Sequence, residues 1–274
     1  MATIVLLEHE MQGRLGIPYM AHALARRWQD RGHAVHFHRG LSTPPAGDVA
    51  LAHLDVTVVP EAYRELERRY PRVINGRTWD IRKSGYSTVR VLRDDPWPGK
   101  VIIKSDANHA GQVDDALRRL ALREGIPSDI PERPVLASYY LCDSIAKVPQ
   151  QAWETPGVLV EKFVPESDEG GNYLRVWTFL GSCERNMRYC SDDLLIRGGN
   201  FKSREPAQVP DEMREWREKL GFEYGKLDYV RHEGKYILLD ANRTPGAPPD
   251  LAAHPSIAEA WDRISMGIEE FLPR

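Results

Sequence analysis

The segment Gly225 to Gly246 constrains the fold more than any other part of this chain. Two runs rich in β-formers flank His232-Glu233-Gly234, a turn that ends on the glycine a left-handed position favours. A three-residue loop pairs Arg231 with Lys235, Asp228 with Leu238 and Lys226 with Asp240. Side chains alternate with period two along a strand. Asp228, Asp240 and Asn242 then share one face beside Lys226, while Leu227, Ile237 and Leu239 cover the other. A two-residue loop would flip one strand and separate them. Two carboxylates and an amide make a hard-oxygen site. Magnesium needs only one or two carboxylates when phosphate oxygens complete its shell. A plain solvated face fits less well, because little else in the hairpin is polar.

The rest of the chain reads as mixed α and β structure. Thr3 to Leu7 is a continuous apolar run, as in a strand buried on both faces. Pro18 opens a helix with Met20, Ala21, Leu24 and Trp28 at helical spacing, and Ala34 to Phe37 is the next strand. Residues 1–76 read as a small α/β domain. Asp80 to Arg93 reads as a helix, and Asp94-Asp95-Pro96-Trp97-Pro98-Gly99 breaks the chain after it. Residues 77–99 therefore read as a connecting helix and linker. Strands follow at Val101 to Lys104 and Val158 to Val164, with helices at Val113 to Arg123, Asp211 to Leu220 and Pro255 to Phe271. Glu8, His9, Glu10, His53 and Asp55 fall at the ends of the first domain's strands, where open α/β sheets gather ligands.

Composition narrows the function classes. A net charge of −3 gives no basic field to hold nucleic acid or an anionic membrane. No apolar run approaches the roughly 20 residues of a membrane helix. The N-terminus lacks the basic start of a signal peptide, so a cytoplasmic protein is expected. Cys142, Cys183 and Cys190 form no C-x-x-C pair and point to neither a disulfide framework nor a zinc site. A homodimer is left open.

Asp228, followed by Asp240-Ala241-Asn242-Arg243-Thr244-Pro245-Gly246, resembles the metal signature of the ATP-grasp superfamily. That signature is an Asp on one strand, an acidic-x-Asn on the next, then a Ser/Thr-Pro-Gly turn. Family members usually carry Glu where this chain has Asp240. The resemblance covers about residue 80 to the end. It implies an α+β ATP-grasp fold, with two subdomains clasping ATP and Mg2+ behind a pre-ATP-grasp domain. Residues 100–164 would be the lid subdomain and residues 165–274 the metal-binding subdomain.

The resemblance also implies site residues. Asp228, Asp240 and Asn242 would hold metal. Lys104 matches the family strand lysine that reaches the phosphates, and Lys83 the earlier lysine on the α-phosphate. Ser105, His109 and Gly111 lie in a loop that resembles the phosphate lid, expected to be weakly anchored and mobile without nucleotide. Glu161, Lys162, Phe163 and Val164 resemble the hinge that holds adenine. Arg175 matches a family strand arginine, and Arg188 and Arg197 are candidates for the transferring acyl phosphate. Arg197-Gly198-Gly199-Asn200 adds flexible backbone beside a cation.

The implied chemistry is ligation of a small-molecule carboxylate to an amine or thiol. The alternatives are an ATP-grasp kinase acting on a hydroxyl and a non-catalytic Mg-ATP-binding module. From sequence alone, Asp240→Ala and Asn242→Ala are expected to abolish turnover with the fold nearly intact.

Overall fold

The computed structural model describes residues 1–197, 199–247 and 255–273. Three sheets organise them. The first is parallel, in the order β2-β1-β3-β4, from β1 (Thr3–Glu8), β2 (Ala34–Arg39), β3 (Val49–Ala52) and β4 (Val73–Ile74). The second is antiparallel, β6-β5-β7, from β5 (Val101–Ser105), β6 (Tyr140–Cys142) and β7 (Val158–Lys162). The third is antiparallel and larger. It comprises β8 (Glu166–Asp168), β9 (Gly171–Leu180), β10 (Cys183–Ser191), β11 (Ser203–Pro206), β12 (Tyr224–His232) and β13 (Lys235–Asn242). Its order is β11-β10-β9-β12-β13, with β8 on β9.

The apolar run of β1 is buried on both faces, as its composition requires. Ile4 and Leu6 pack against Met20, Leu24 and Trp28 of α1 (Met20–Asp30). Val5 and Leu7 pack against Leu66 and Tyr70, at and just beyond α2 (Glu61–Glu67). The helix α3 (Gln112–Arg123) packs Leu117 and Ala121 against Leu54, Val56 and Tyr63, while α4 (Gln150–Glu154) and α5 (Asp211–Lys219) cover the second and third sheets. The last helix, α6 (Pro255–Ser265), adds Ile257, Trp261 and Ile264 to the core around β1 and α1. The chain's end thus shares a core with its beginning, unlike a simple division at residue 165. The stripe on α6 needs an apolar partner, and α1 supplies one.

The helix expected over Asp80 to Arg93 is absent. That segment is extended, with one 3-10 turn at Lys83–Gly85 and bridges from Asp80 to Val58 and Arg90 to Glu161. Local and tertiary partners outcompete helical bonds. Asp80 accepts from the Arg82 amide at 2.9 Å, and Asp106 accepts from the Ser84 amide and hydroxyl at 2.7 and 2.9 Å. The Val91 amide donates to Val160, and Val89 accepts from Lys162.

The hairpin register also differs from expectation. His232 pairs with Lys235, so the turn has two residues, with Glu233 and Gly234 both at positive φ. That is the backbone a tight hairpin of the right twist demands. A bulge at Leu239 then shifts the ladder by one residue, so Asp228 faces Asp240 and Lys226 faces Asn242. The bulge restores the shared acidic face that a two-residue turn alone would have split. Ile237 lies opposite Val230 and moves to the acidic face, leaving Leu227, Tyr229, Leu238 and Ala241 on the core side.

Arg243 locks this hairpin to the first sheet. Its buried guanidinium donates to the carbonyls of Val56 and Thr57 at 2.7 and 3.1 Å, and to that of Thr78. The nearby carboxyl of Glu67 is buried. Burial pushes its pKa from 4.5 up to about 7 against the pull of Arg243. Both folded and unfolded states are protonated below 4.5. As pH rises through about 7 the folded state must take up a buried charge, and that stability is lost. Glu67→Gln is expected to flatten the stability profile between pH 4.5 and 7. Above pH 7 it should be more stable than wild type by on the order of 2 kcal/mol. Urea unfolding across this range measures it, and parallel profiles for the two proteins would contradict it.

Candidate active site

The bulged hairpin brings Asp228 and Asp240 face to face, each beside a lysine. Lys226 Nζ lies 2.8 Å from Asp228 Oδ2, and Lys83 Nζ lies 2.9 Å from Asp240 Oδ1. Lys83 also donates to the Ala107 carbonyl at 3.0 Å and is 1% exposed. It sits in a short 3-10 turn rather than in the helix expected there. Burial alone would raise the Asp240 carboxyl, but Lys83 and Lys226 hold it down to about 2. Asp228 is pushed up, by burial and then by repulsion from Asp240, despite Lys226.

Asp228 Oδ1 is buried without a hydrogen-bond partner. An orphaned carboxylate oxygen beside a second carboxylate fits a hard divalent cation. Asn242 shares the face, but its Oδ1 accepts from the Thr244 amide at 2.8 Å. Its Nδ2 faces His109 Nε2 at 3.2 Å. Because the Thr244 amide fixes the carboxamide orientation, His109 Nε2 is the acceptor. In this arrangement Asn242 acts first as the residue that shapes the turn after β13.

The hairpin face forms one wall of a cavity of about 160 Å3. Lys162, Phe163 and Val164 line its far end, with Val230 and Leu239 from the hairpin. Lys104 and Arg197 line it beside the two aspartates. Lys104 is 5% exposed and pairs with Glu161 Oε2 at 2.8 Å, so Glu161 holds this lysine. Tyr139 also lines the cavity, a residue the sequence reading missed. Its pKa is raised by burial and by the charge of Asp240, and its ring lies 5.9 Å from Lys104 and 5.8 Å from Arg197. Nothing in Ala137-Ser138-Tyr139-Tyr140 marks it in sequence.

Two arginines stand elsewhere. Arg175 and Arg188 both clamp the buried Glu166, at 2.7 and 3.1 Å. Arg188 also bonds Glu205 and stacks on Tyr173. Neither lines the cavity, and the catalytic role expected of Arg188 does not suit a guanidinium so engaged. Arg188→Ala is expected to lower stability by about 1–3 kcal/mol and leave turnover unchanged. Thermal unfolding with ADP release checks this, and lost turnover in a stably folded variant would contradict it. Gly198, beside Arg197, lies outside the described residues.

The loop after β5 is anchored, contrary to the expectation of a loose lid. Ser105 is buried, and its hydroxyl accepts from the Ala107 amide at 3.2 Å. Asp106 bonds Ser84, and the Asn108 amide donates to Thr57 at 3.0 Å. His109 and Ala110 have φ of 45° and 57°, ahead of Gly111 at 81°. Left-handed backbone at two non-glycine residues stores of order 1–3 kcal/mol each. A Cβ at Gly111 would meet the Pro134 carbonyl at 2.8 Å, so only glycine fits there.

The strand ends of the first domain meet this site. Asp55 accepts from the Thr244 hydroxyl at 2.7 Å and from Tyr19 at 2.8 Å. Glu8 and His53 are buried there beside the partly exposed His22.

No family model matches this chain, and no curated protein matches it in sequence. Solved structures do match. One is the ATP-grasp ligase PsnB, complexed with a phosphomimetic variant of minimal precursor, Mg and ADP. It is similar over 98% of each chain, with a TM-score of 0.57 and 11% identity. Another is the D-cycloserine synthetase DcsG, similar over 98% of this chain and 99% of its own, with a TM-score of 0.50 and 14% identity. Identity this low speaks to fold. This chain has the fold of the ATP-grasp superfamily.

Proposed function

We propose that this protein is an ATP-dependent ligase joining a small-molecule carboxylate to an amine or thiol through an acyl phosphate. The observation that carries this reading is the pair Asp228 and Asp240, half-buried, opposed in register, and set at one end of an apolar slot. The similarity to an ATP-grasp ligase bound to Mg and ADP supports it.

Adenine would enter between Phe163, Val164, Val230 and Leu239. The Lys162 and Phe163 amides already bond Val89 and Lys100, which leaves the hinge carbonyls and the Val164 amide for its edge. Pockets for ligands of this size run to roughly 300–1,000 Å3. The cavity would therefore widen on binding. Magnesium on Asp228 and Asp240 would supply charge neutralisation at the phosphates. Lys104 and Lys83 would turn from their carboxylates toward phosphate oxygens. The substrate carboxylate attacks the γ-phosphorus, the bond to the β–γ bridging oxygen breaks, and ADP leaves. The amine or thiol then attacks the acyl carbon. The carbon–oxygen bond to phosphate breaks, phosphate departs with that oxygen, and the nucleophile's proton passes to solvent. Arg197, which lines the cavity, would steady the developing oxyanion.

Hydroxylamine tests the intermediate. Protein, ATP and Mg2+ incubated with pools of carboxylic acids should yield a hydroxamate together with ADP. ADP without hydroxamate would contradict the acyl phosphate and indicate phosphorylation of a hydroxyl. Absence of ADP with every pool would remove the catalytic reading.

A further inference from the structure

A second cluster lies at the carboxyl ends of β1 and β3, outside the nucleotide cavity. Glu8 closes β1, His22 projects from α1, and His53 follows β3. Glu8 Oε1 lies 2.6 Å from His22 Nε2 and 3.8 Å from His53 Nδ1. One donor atom from each of the three lies within 4.8 Å of the others. We infer that Glu8, His22 and His53 form a binding site for a borderline divalent transition ion such as Zn2+ or Co2+. This inference does not depend on the ligase reading.

An ion-pair network explains only part of the cluster. Arg39 Nε takes Glu8 Oε2 at 2.8 Å, and His22 takes Oε1. His53 stands outside that network, fully buried, with its Nδ1 at 3.1 Å from Gln12 Nε2. Its Nδ1 is too far from Glu8 for a hydrogen bond. Metal–ligand bonds of about 2.0–2.1 Å at tetrahedral angles put donor atoms about 3.3 Å apart. The separations of 2.6 and 3.8 Å bracket that spacing.

The surroundings suit ligation. Gln12 Oε1 accepts from the Asp55 and His9 amides at 2.9 and 3.3 Å, which turns its Nε2 toward the His53 carbonyl and Nδ1. His53 Nδ1 therefore presents a lone pair. Gln12 keeps the His53 carbonyl when an ion takes that lone pair. Burial drives the His53 pKa down to about 3, so the imidazole stays neutral as a ligand must. Glu8 is held ionised: against burial, its bond to His22 and the charge of Arg39 lower its pKa. Arg39 orients the carboxylate as an outer hydrogen-bond partner. On binding, the ion replaces the His22 Nε2 proton, which moves to Nδ1 or to solvent.

Two imidazoles and one carboxylate favour zinc, cobalt, nickel or copper over magnesium. Three protein ligands leave a position open, and the His22 side chain is 31% exposed on that side. The open position would take water or a substrate oxygen or nitrogen.

Co2+ titration of the metal-free full chain, read in the visible, tests the site. Wild type should show a saturable, intense d–d spectrum that Zn2+ abolishes and excess Mg2+ does not. His22→Gln, at a partly exposed position, should weaken Co2+ affinity about 100-fold or more, with an unchanged circular dichroism spectrum. His22→Cys should restore binding and add a thiolate-to-cobalt charge-transfer band. A featureless wild-type titration, binding unaffected by His22→Gln, or no charge-transfer band in His22→Cys would each overturn the assignment.

Discussion

Asp240→Ala is expected to destabilise the protein by about 3–5 kcal/mol, because it strips a buried lysine of its counter-ion. Lys83 is 1% exposed, and its remaining partner is one carbonyl, that of Ala107. The sequence alone points to an intact fold after this change, and only the structure shows Lys83 buried against this carboxylate. Lys83→Met combined with Asp240→Leu should recover most of the lost stability by removing both charges, yet remain inactive. Asp240→Asn preserves shape and should lower ADP release by about 100-fold or more, since outer partners of a metal alone are worth 10–100-fold. Urea unfolding and ADP release measure the two effects separately. An Asp240→Ala variant as stable as wild type would show that Lys83 is not held by this carboxylate.

Lys104→Met is expected to lower kcat/KM for ATP by about tenfold or more, as a cation facing phosphate is lost. Lys104 pairs with Glu161, itself 2% exposed, so the substitution also leaves a buried carboxylate unpaired. Glu161→Gln separates the two consequences. It keeps the lysine and removes only the negative charge. Turnover retained in Glu161→Gln and lost in Lys104→Met would place the cation on the nucleotide. Equal losses in both would mean that the pair only holds β5 to β7.

Local patterns made much of the fold legible. The run of β1, the helix at Met20 and the two strands β12 and β13 follow from periodicity and turn residues. The misreadings share a physical cause. Between Asp80 and Arg93, distant partners such as Asp106 and Val160 captured groups that helical spacing had assigned to one another. At the hairpin, a bulge at Leu239 compensated a shorter turn, and nothing in Ile237-Leu238-Leu239 announces a bulge. The loop from Ser105 to Gln112 looks free in sequence because its residues are small, and that is also why it can pack under Pro134 and against Thr57. Within the site, residue types showed which groups carry charge. Only the fold shows that Lys83 serves Asp240, that Glu161 serves Lys104 and that Arg188 serves Glu166.

Calorimetric titration with a non-hydrolysable ATP analogue, with and without Mg2+, addresses the opposed aspartates most directly. Wild type should bind the analogue far more tightly with Mg2+ than without it. In Asp240→Asn that dependence on magnesium should disappear while weak, metal-independent binding persists through the apolar slot. Equal enhancement by Mg2+ in both proteins would contradict a metal site on the face shared by Asp228 and Asp240.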